Sequence, residues 1–248
     1  MTVGLIGYGR FGKLAARLLA RRVHIVVADR SRPRLRGAQR NIKAVTIAEA
    51  AAQEIVVLAV PVSQLPDLLR RIKRYVRAGA LVIDVCAVKA QPTRWMKAIL
   101  PRSVEILGAH PLFGPDSCKG SLSGHTVVLC PVRIGRQRLA LIRRVLDRER
   151  ARTMIMLPDR HDRMIAETIF LTQYIGRLVD MARLGRWKGV TAHYDHLRSV
   201  VDAAVHDSPR LFLDMRKYNA HGARVEAALR KAQKTILKQL EGIRRDPT

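Results

Sequence analysis

The first 157 residues alternate between short runs of Val, Ile and Leu and longer segments whose apolar residues recur at helical spacing. The apolar runs lie at positions 2–7, 23–29, 54–60, 80–85, 104–109, 125–131 and 151–157. Near-continuous apolar strands that alternate with helices are typical of a mostly parallel sheet covered by helices on both faces. The sequence therefore predicts an α/β domain with a Rossmann-type, mostly parallel sheet over residues 1–157.

The pattern changes after Pro158, because no further β-branched run bounded by turn residues follows. Helices are predicted at about 159–184, about 190–206, from Pro209 onward, and at about 222–242. The segment 161–184 is apolar on a wide face, which indicates packing against the first domain or a second subunit. We expect residues 158–248 to form an all-α substrate and dimerisation domain.

A glycine motif stands where the first strand meets the first helix. In Gly7-x-Gly9-x-x-Gly12, the first glycine permits a tight turn, the second lets a pyrophosphate approach the backbone, and the third lets helix and strand pack closely. The helix N-terminus adds N–H donors and a positive dipole for the anion. This context predicts a dinucleotide site. The residues predicted to contact the cofactor are Gly7, Tyr8, Gly9, Arg10, Phe11, Gly12, Asp29, Arg30, Ser31, Val60 and Pro61.

Asp29 bears on which dinucleotide is bound. It ends the second strand twenty residues beyond Gly9, where an acidic side chain binds the hydroxyls of the adenine ribose. A carboxylate repels a 2′-phosphate, so Asp29 favours NAD. Arg30, Ser31 and Arg32 follow directly and could hold that phosphate, which leaves NADP as an alternative.

His110 lies in the stretch LGAHPLFGPDS, residues 107–117, whose prolines and glycines indicate a shaped loop after a strand. Ligands of open parallel sheets bind at the carboxyl ends of strands. The ends of the runs 54–60, 80–85 and 104–109 should therefore converge beside the nicotinamide. Histidine, with its near-neutral pKa, can take a proton from a substrate hydroxyl while hydride leaves the same carbon. We predict that His110 is the catalytic base.

Composition limits the partners and the compartment. The formal net charge is +26, but the basic residues are scattered over almost every helix and only four Phe and two Trp could stack on bases. This favours a solvated basic surface that attracts small anions over specific nucleic-acid binding. Cys86, Cys118 and Cys130 have neither disulfide-framework nor zinc spacing, so we expect a reducing compartment and no metal. With no apolar run near the ~18 residues of a membrane span and no room for a signal peptide, we expect a cytoplasmic protein without a membrane partner.

Five stretches taken together resemble one family. GLIGYGRFG, DVCAVKAQP, LGAHPLFGPDS, VVLCP and PDRHDRMIAETIFLTQYIGRLV are similar in order and spacing to the prephenate/arogenate dehydrogenases, especially the short arogenate-type and plant-like members. The resemblance implies an NAD(P)-dependent oxidative decarboxylation of arogenate or prephenate in tyrosine biosynthesis. Hydride would leave C4 of the ring, His110 would accept the C4 hydroxyl proton, and loss of CO2 would make the ring aromatic. It also implies a homodimer formed through the helical domain.

Two residues depart from that family pattern. Ala87 stands where the family usually has a serine whose hydroxyl bonds the catalytic histidine, and Gln173 stands where a histidine is common. Cations and amides for the carboxylates of a small anionic substrate are predicted at Lys89, Gln173 and Arg198. His161 and Asp162 are expected to cap and orient the helix that opens the second domain.

The departures leave two other readings open. One is a dehydrogenase of specialised metabolism that acts on an amino-substituted analogue of prephenate. The other is a catalytically weak, basic dinucleotide-binding protein, which the charge of +26 and Ala87 would suit.

Overall fold

The computed structural model describes residues 1–30, 40–185, 187 and 189–243, with the side chains described as far as residue 242. The chain divides into two compact units, Met1–His161 and a second that begins at Asp162. The sequence placed the boundary between residues 157 and 158, four residues earlier. The observed boundary falls inside a helix, where no Pro/Gly-rich linker marks it.

Across the described residues, the first unit is built on one sheet. Its strands are β1 (Thr2–Ile6), β2 (His24–Ala28), β3 (Ile42–Ala44), β4 (Ile55–Leu58), β5 (Leu81–Asp84), β6 (Glu105–Pro111), β7 (Thr126–Arg133) and β8 (Arg152–Ile155). Their spatial order is β3-β2-β1-β4-β5-β6-β7-β8. Every neighbouring pair is parallel except β6 and β7, which are antiparallel. The predicted Rossmann-type, mostly parallel sheet is confirmed.

Helices follow most of the strands. They are α1 (Arg10–Leu19), α2 (Ile47–Ala51), a 3₁₀ turn (Val62–Gln64) that leads into α3 (Leu65–Ile72), α4 (Ala90–Ile99), α5 (Arg136–Arg148) and α6 (Pro158–Ile165). The strands in the middle of the sheet are buried, and Leu5, Val27 and Leu58 have no exposed surface. Burial on both faces is the reason that these strands are near-continuous apolar runs in the sequence.

The sequence analysis missed β3 and α2. Strand β3 has only three residues at the edge of the sheet, and none of them is fully buried, so it carries no apolar run. Helix α2 has five residues, but Thr46 and Glu49 form a capping box at its start. That Thr-x-x-Glu spacing is a readable signal for a helix N-terminus.

The second unit is helical throughout its described part. After α6 come a π-helical segment (Ala166–Phe170), α7 (Leu171–Met181), α8 (Ala192–His206), α9 (Pro209–Tyr218) and α10 (Gly222–Ile243). The predicted helices match these elements, except that a π-helical segment interrupts the first. Among the described residues no helix has both the length and the hydrophobicity needed to cross a bilayer.

Close packing of α7 on α8 depends on a small residue. A Cβ at Gly176 would lie 2.5 Å from the Cβ of Ala204 and 2.9 Å from the carbonyl oxygen of Val200. In the same unit, the rings of Phe170 and Phe212 stack with centroids 5.4 Å apart and planes 8° from parallel. Glycine therefore lets the two helices approach closely enough to bury the small core of this unit.

Candidate active site

The glycine loop between β1 and α1 has the backbone that a dinucleotide site needs. Gly7 has φ of +104°, and a Cβ there would lie 2.3 Å from the carbonyl oxygen of Ala59. A Cβ at Gly12 would lie 2.1 Å from the carbonyl oxygen of Gly7, so Gly12 permits the close contact of helix and strand. A Cβ at Gly9 would meet no atom within 4 Å. The space at Gly9 is open to a ligand phosphate.

Asp29 lies at the end of β2 beside this loop. Its carboxylate accepts the backbone N–H groups of Tyr8 and Arg30, each at 2.6 Å. These bonds hold the acidic group at the mouth of a cleft of about 240 Å³. The cleft is lined by Ile6, Gly7, Asp29, Arg30, Ile47, Val60, Ser63, Gln64, Asp67, Leu68 and Arg71. The carboxylate of Asp29 and apolar side chains such as Ile6 and Leu68 fit the adenosine group of a dinucleotide.

Sequence reasoning missed part of this cleft. Ser63, Gln64, Asp67 and Arg71 come from the 3₁₀ turn and α3, which follow β4. The signal that could have found them is the strand-to-helix connection AVPVSQLPD, because connections at the carboxyl edge of a parallel sheet line its ligand crevice. Of the predicted cofactor residues, Ser31 lies outside the described residues, as does Arg32.

Two other predicted cofactor residues contact the loop that follows His110. The guanidinium of Arg10 bonds both carboxylate oxygens of Asp116 at 2.7 Å. The rings of Phe11 and Phe113 lie 6.5 Å apart between centroids. The first turn of α1 and the loop after β6 are therefore held together, and the two predicted cofactor contacts remain predictions.

His110 is the penultimate residue of β6 and is only 8% exposed. Its Nδ1 lies 2.9 Å from Nε2 of His161, and the two rings meet at 63° with centroids 5.0 Å apart. Burial, together with the nearby charges of His161 and Lys89, holds the pKa of His110 well below its ordinary value. His110 is therefore a neutral imidazole at pH 7, able to accept a proton. The sequence did not predict that His161 would be its partner.

Lys89 is buried completely at the start of α4. Its ammonium is paired with the carboxylate of Asp84 and donates to the carbonyl oxygen of Ala109 at 2.8 Å. Ala109 precedes His110 in β6, so Lys89 holds the backbone that carries the predicted base. The sequence analysis predicted that Lys89 binds a carboxylate of the substrate, which requires its ammonium to face a cleft. The ammonium lies inside the protein instead.

Asp84 ends β5 and is the other half of that buried pair. Burial raises the pKa of its carboxyl, which the ammonium of Lys89 opposes. Its Oδ1 also accepts the backbone N–H of Cys86 at 3.1 Å, and the thiol of Cys86 lies 3.6 Å from the carbonyl oxygen of Val60. These bonds link the carboxyl ends of β4, β5 and β6.

In the described part of the chain, no three His, Cys, Asp or Glu side chains group as metal ligands would.

The two remaining predicted substrate residues lie in the second unit. Gln173 of α7 is buried and donates from Nε2 to the carboxylate of Asp207 at 2.6 Å, while its Oε1 has no partner among the described residues. Arg177, one turn further on, donates to the carbonyl oxygen of Asp207 and was not predicted. Arg198 of α8 pairs with Asp202 at 3.1 Å and lines a separate cleft beside Trp187. Gln173 and Arg198 are thus bound to different carboxylates.

Comparison with known proteins gives a family match. The family model for the nucleotide-binding domain of prephenate dehydrogenase matches residues 14–155. The chain is 27% identical to arogenate dehydrogenase 2, chloroplastic, of Arabidopsis thaliana, over 98% of this chain and 70% of that protein. It is 26% identical to arogenate dehydrogenase 1, chloroplastic, of the same plant, over 98% of this chain but 40% of that protein. The chain therefore spans well under half the length of the second relative.

A solved structure has the same fold. Prephenate dehydrogenase from A. aeolicus, in complex with hydroxyphenyl propionate and NAD+, superposes with a TM-score of 0.73 at 19% identity. The match covers 99% of this chain and 91% of that one. The likeness extends over both the sheet and the helical elements.

Gly9 and Gly12 should respond differently to alanine. We expect Gly12→Ala to lower the free energy of unfolding by about 1–3 kcal/mol, because its Cβ would overlap a backbone carbonyl. Gly9→Ala should unfold at the wild-type temperature but bind NAD at least about tenfold more weakly, as the methyl group enters the phosphate space. Thermal unfolding and a fluorescence titration with NAD measure the two effects. Wild-type NAD affinity in Gly9→Ala would contradict the assigned phosphate position.

The Lys89–Asp84 pair should dominate the stability of this edge of the sheet. Lys89→Met leaves a carboxylate buried without its cation and should lower the free energy of unfolding by about 3–5 kcal/mol. The single variant Asp84→Asn is also made. The double variant Lys89→Met/Asp84→Asn should lose less free energy of unfolding than the two single variants lose in sum, because no uncompensated charge remains. Arg70→Met breaks an exposed pair with Asp67 and is the matched control, with almost no change expected. Chemical denaturation measures the free energy of unfolding of the four variants. An equal loss in Lys89→Met and in the double variant would contradict the interpretation.

Proposed function

The chain belongs to the prephenate dehydrogenase family, and on that premise we propose that it catalyses the NAD(P)-dependent oxidative decarboxylation of arogenate or prephenate. Both compounds are cyclohexadienols with a carboxylate at C1 and a hydroxyl group at C4. The two curated relatives from Arabidopsis are arogenate dehydrogenases, which supports this substrate class. The product would be a para-substituted phenol that feeds tyrosine biosynthesis.

One observation supports the proposal above the others. A buried histidine stands near the carboxyl end of β6, in the sheet whose strand β1 contributes Ile6 to the dinucleotide cleft, and its Nδ1 is engaged by a second histidine. The engaged nitrogen leaves Nε2 of His110 for a substrate proton. A general base of this kind must be unprotonated at neutral pH, and the lowered pKa of His110 keeps it so.

The proton and electron movements balance without any other reactant. The bound dinucleotide supplies the hydride acceptor. His110 takes the proton of the C4 hydroxyl as the C4–H bond breaks, which leaves a carbonyl at C4. The C1–carboxylate bond then breaks, CO2 leaves, and its electron pair makes the ring aromatic. Because burial lowers the pKa of the imidazolium below its ordinary value, His110 readily returns the proton to the phenolate oxygen.

The second unit supplies candidates for the carboxylates of the substrate. We keep Gln173 and Arg198 in that role, since an amide and a guanidinium can both donate hydrogen bonds to carboxylate oxygens. Each now bonds an aspartate of the protein, Asp207 and Asp202, so substrate binding would exchange one carboxylate for another. Lys89 acts through the backbone of β6 instead.

We propose that the protein is a cytoplasmic homodimer formed through the helical unit. Large apolar side chains are exposed there. They include Leu178, Met181, Leu184, Trp187, Val190 and Leu213. An exposed apolar surface of this kind is typical of a protein–protein interface. None of the three cysteines forms a disulfide, which fits a reducing compartment.

The activity is tested by following NAD(P)H absorbance with purified protein. Arogenate and prephenate are each offered with NAD and with NADP, and CO2 release is measured in parallel. We expect reduction of the cofactor and release of CO2 in equal amounts with one of the two substrates. Cofactor reduction without CO2 would point to a different dehydrogenase, and no reaction with any pair would reject the proposal.

His110→Asn should abolish most of this turnover. A general base contributes about 10²- to 10⁴-fold to kcat, and the amide keeps the side chain polar without accepting a proton. The affinity for NAD should change little, because the dinucleotide cleft is lined by other residues. His24→Asn, at an exposed histidine of the same unit, is the control and should keep wild-type kcat. A kcat within a few-fold of wild type in His110→Asn would reject His110 as the base.

Asp29→Ala should shift the cofactor preference toward NADP. The change removes the acceptor for ribose hydroxyls and the negative charge that would repel a 2′-phosphate beside Arg30. The ratio of kcat/KM for NADP over NAD should rise about tenfold or more, as expected for loss of a charged hydrogen-bond partner. Asp67→Ala removes another carboxylate from the same cleft and is the matched control. A strong wild-type preference for NADP would contradict the role given to Asp29.

A further inference from the structure

His161 stands fourth in α6 and is completely buried. Its backbone N–H donates to the carbonyl oxygen of Leu157, so the first turn of α6 fixes the position of the His161 backbone. Its Nε2 lies 2.9 Å from Nδ1 of His110, an ordinary hydrogen-bond distance. A buried pair of imidazoles at this distance must share one proton between the facing nitrogens.

The direction of that hydrogen bond follows from the task of His110. To accept a substrate proton on Nε2, a neutral His110 must carry its own proton on Nδ1. Nδ1–H then donates to Nε2 of His161, which must be unprotonated. If His161 carried a proton on Nε2, the bond would reverse, and His110 would hold its proton on Nε2. That second arrangement blocks the nitrogen that the reaction needs.

We propose that His161 is a positioning residue that fixes both the ring orientation and the reactive tautomer of His110. The proposal rests on the proposed function, because the reactive tautomer is defined by proton transfer at Nε2. The bond lasts through the reaction. When His110 becomes an imidazolium, Nδ1–H still donates to the same acceptor, and the bond becomes charge-assisted.

The charged surroundings of the pair set how it responds to pH. His110 is faced by His161 from α6 and by the ammonium of Lys89 from the start of α4, which Asp84 of β5 neutralises. Two imidazolium rings at this distance would repel each other, so the pair binds one proton far more readily than two. Because the pKa of His110 lies below about 6.5, activity should stay constant above that pH and fall as acid protonates the pair.

The tautomer of His110 is measured directly in the protein without substrate or cofactor. Long-range ¹H–¹⁵N spectra of ¹⁵N-histidine-labelled protein, assigned with His110→Asn and His161→Gln, distinguish Nδ1–H from Nε2–H. At pH 7.5 we expect the Nδ1–H form of His110 in the wild type. An Nε2–H form would overturn the proposal while leaving the proposed function to be judged by the NAD(P)H assay alone.

Two variants separate the hydrogen bond from the packing of the ring. His161→Phe keeps the volume but accepts no hydrogen bond, and kcat should fall about three- to tenfold, the value of one neutral hydrogen bond. KM for NAD should not change. His161→Gln can offer its amide oxygen near the original Nε2, so it should retain more kcat than His161→Phe and a larger Nδ1–H population.

The pH profile adds a readout that a merely structural role would not change. The glutamine side chain does not titrate, so His161→Gln should move the acid limb of kcat/KM, whereas His24→Gln should leave both limb and kcat unchanged. Circular dichroism and thermal unfolding establish that each variant is folded. Wild-type kcat and an unmoved acid limb in folded His161→Phe and His161→Gln would overturn the proposal. If His161→Phe does not fold, His161→Gln and the wild-type tautomer decide it.

Discussion

The buried ion pair of Lys89 and Asp84 is the interaction on which the candidate active site depends. Removing two charges from water is costly, and only their mutual attraction and further hydrogen bonds offset that cost. Here those bonds run to the carbonyl oxygen of Ala109 and the N–H of Cys86, so the pair connects β6 with the segment that follows β5. Gly108 makes room for it, since a Cβ there would lie 3.0 Å from Cδ of Lys89. The strand that carries His110 is thus held from inside.

A second set of contacts joins the first turn of α1, which follows the glycine loop, to the loop after His110. Arg10 and Phe11 belong to the first turn of α1, directly after the open space at Gly9, and they meet Asp116 and Phe113. The guanidinium of Arg10 is more than half exposed, so the ion pair contributes little to stability. Its value is geometric. A dinucleotide phosphate at Gly9 would lie beside Arg10, which bonds Asp116 in the loop that follows His110.

The sequence predicted the elements that have a local residue pattern. It did not predict the side-chain contacts between residues that are far apart in the chain. Strands such as Ile55–Leu58 were readable because burial on both faces demands continuous apolar residues, and the glycine motif was readable because its geometry needs glycine. The inward position of Lys89 was not, because a lysine in a sequence is the same whether it is solvated or paired. The contact of His161 with His110 joins residues 51 positions apart and follows only from how α6 meets β6. Both missed contacts lie at the site, where local patterns say least.

An imidazole partner suits the proposed chemistry of His110 better than a carboxylate would. A carboxylate at Nδ1 would raise the pKa of the imidazole and hold the proton after it was taken. An imidazole fixes the ring and tautomer without adding negative charge, and burial keeps the pKa of the His110 imidazolium low. In the proposed reaction, the same oxygen loses its proton as the C4 hydroxyl and needs one again as the phenol. His110 would accept the proton while hydride leaves and return it once the ring is aromatic, so one base serves both proton transfers.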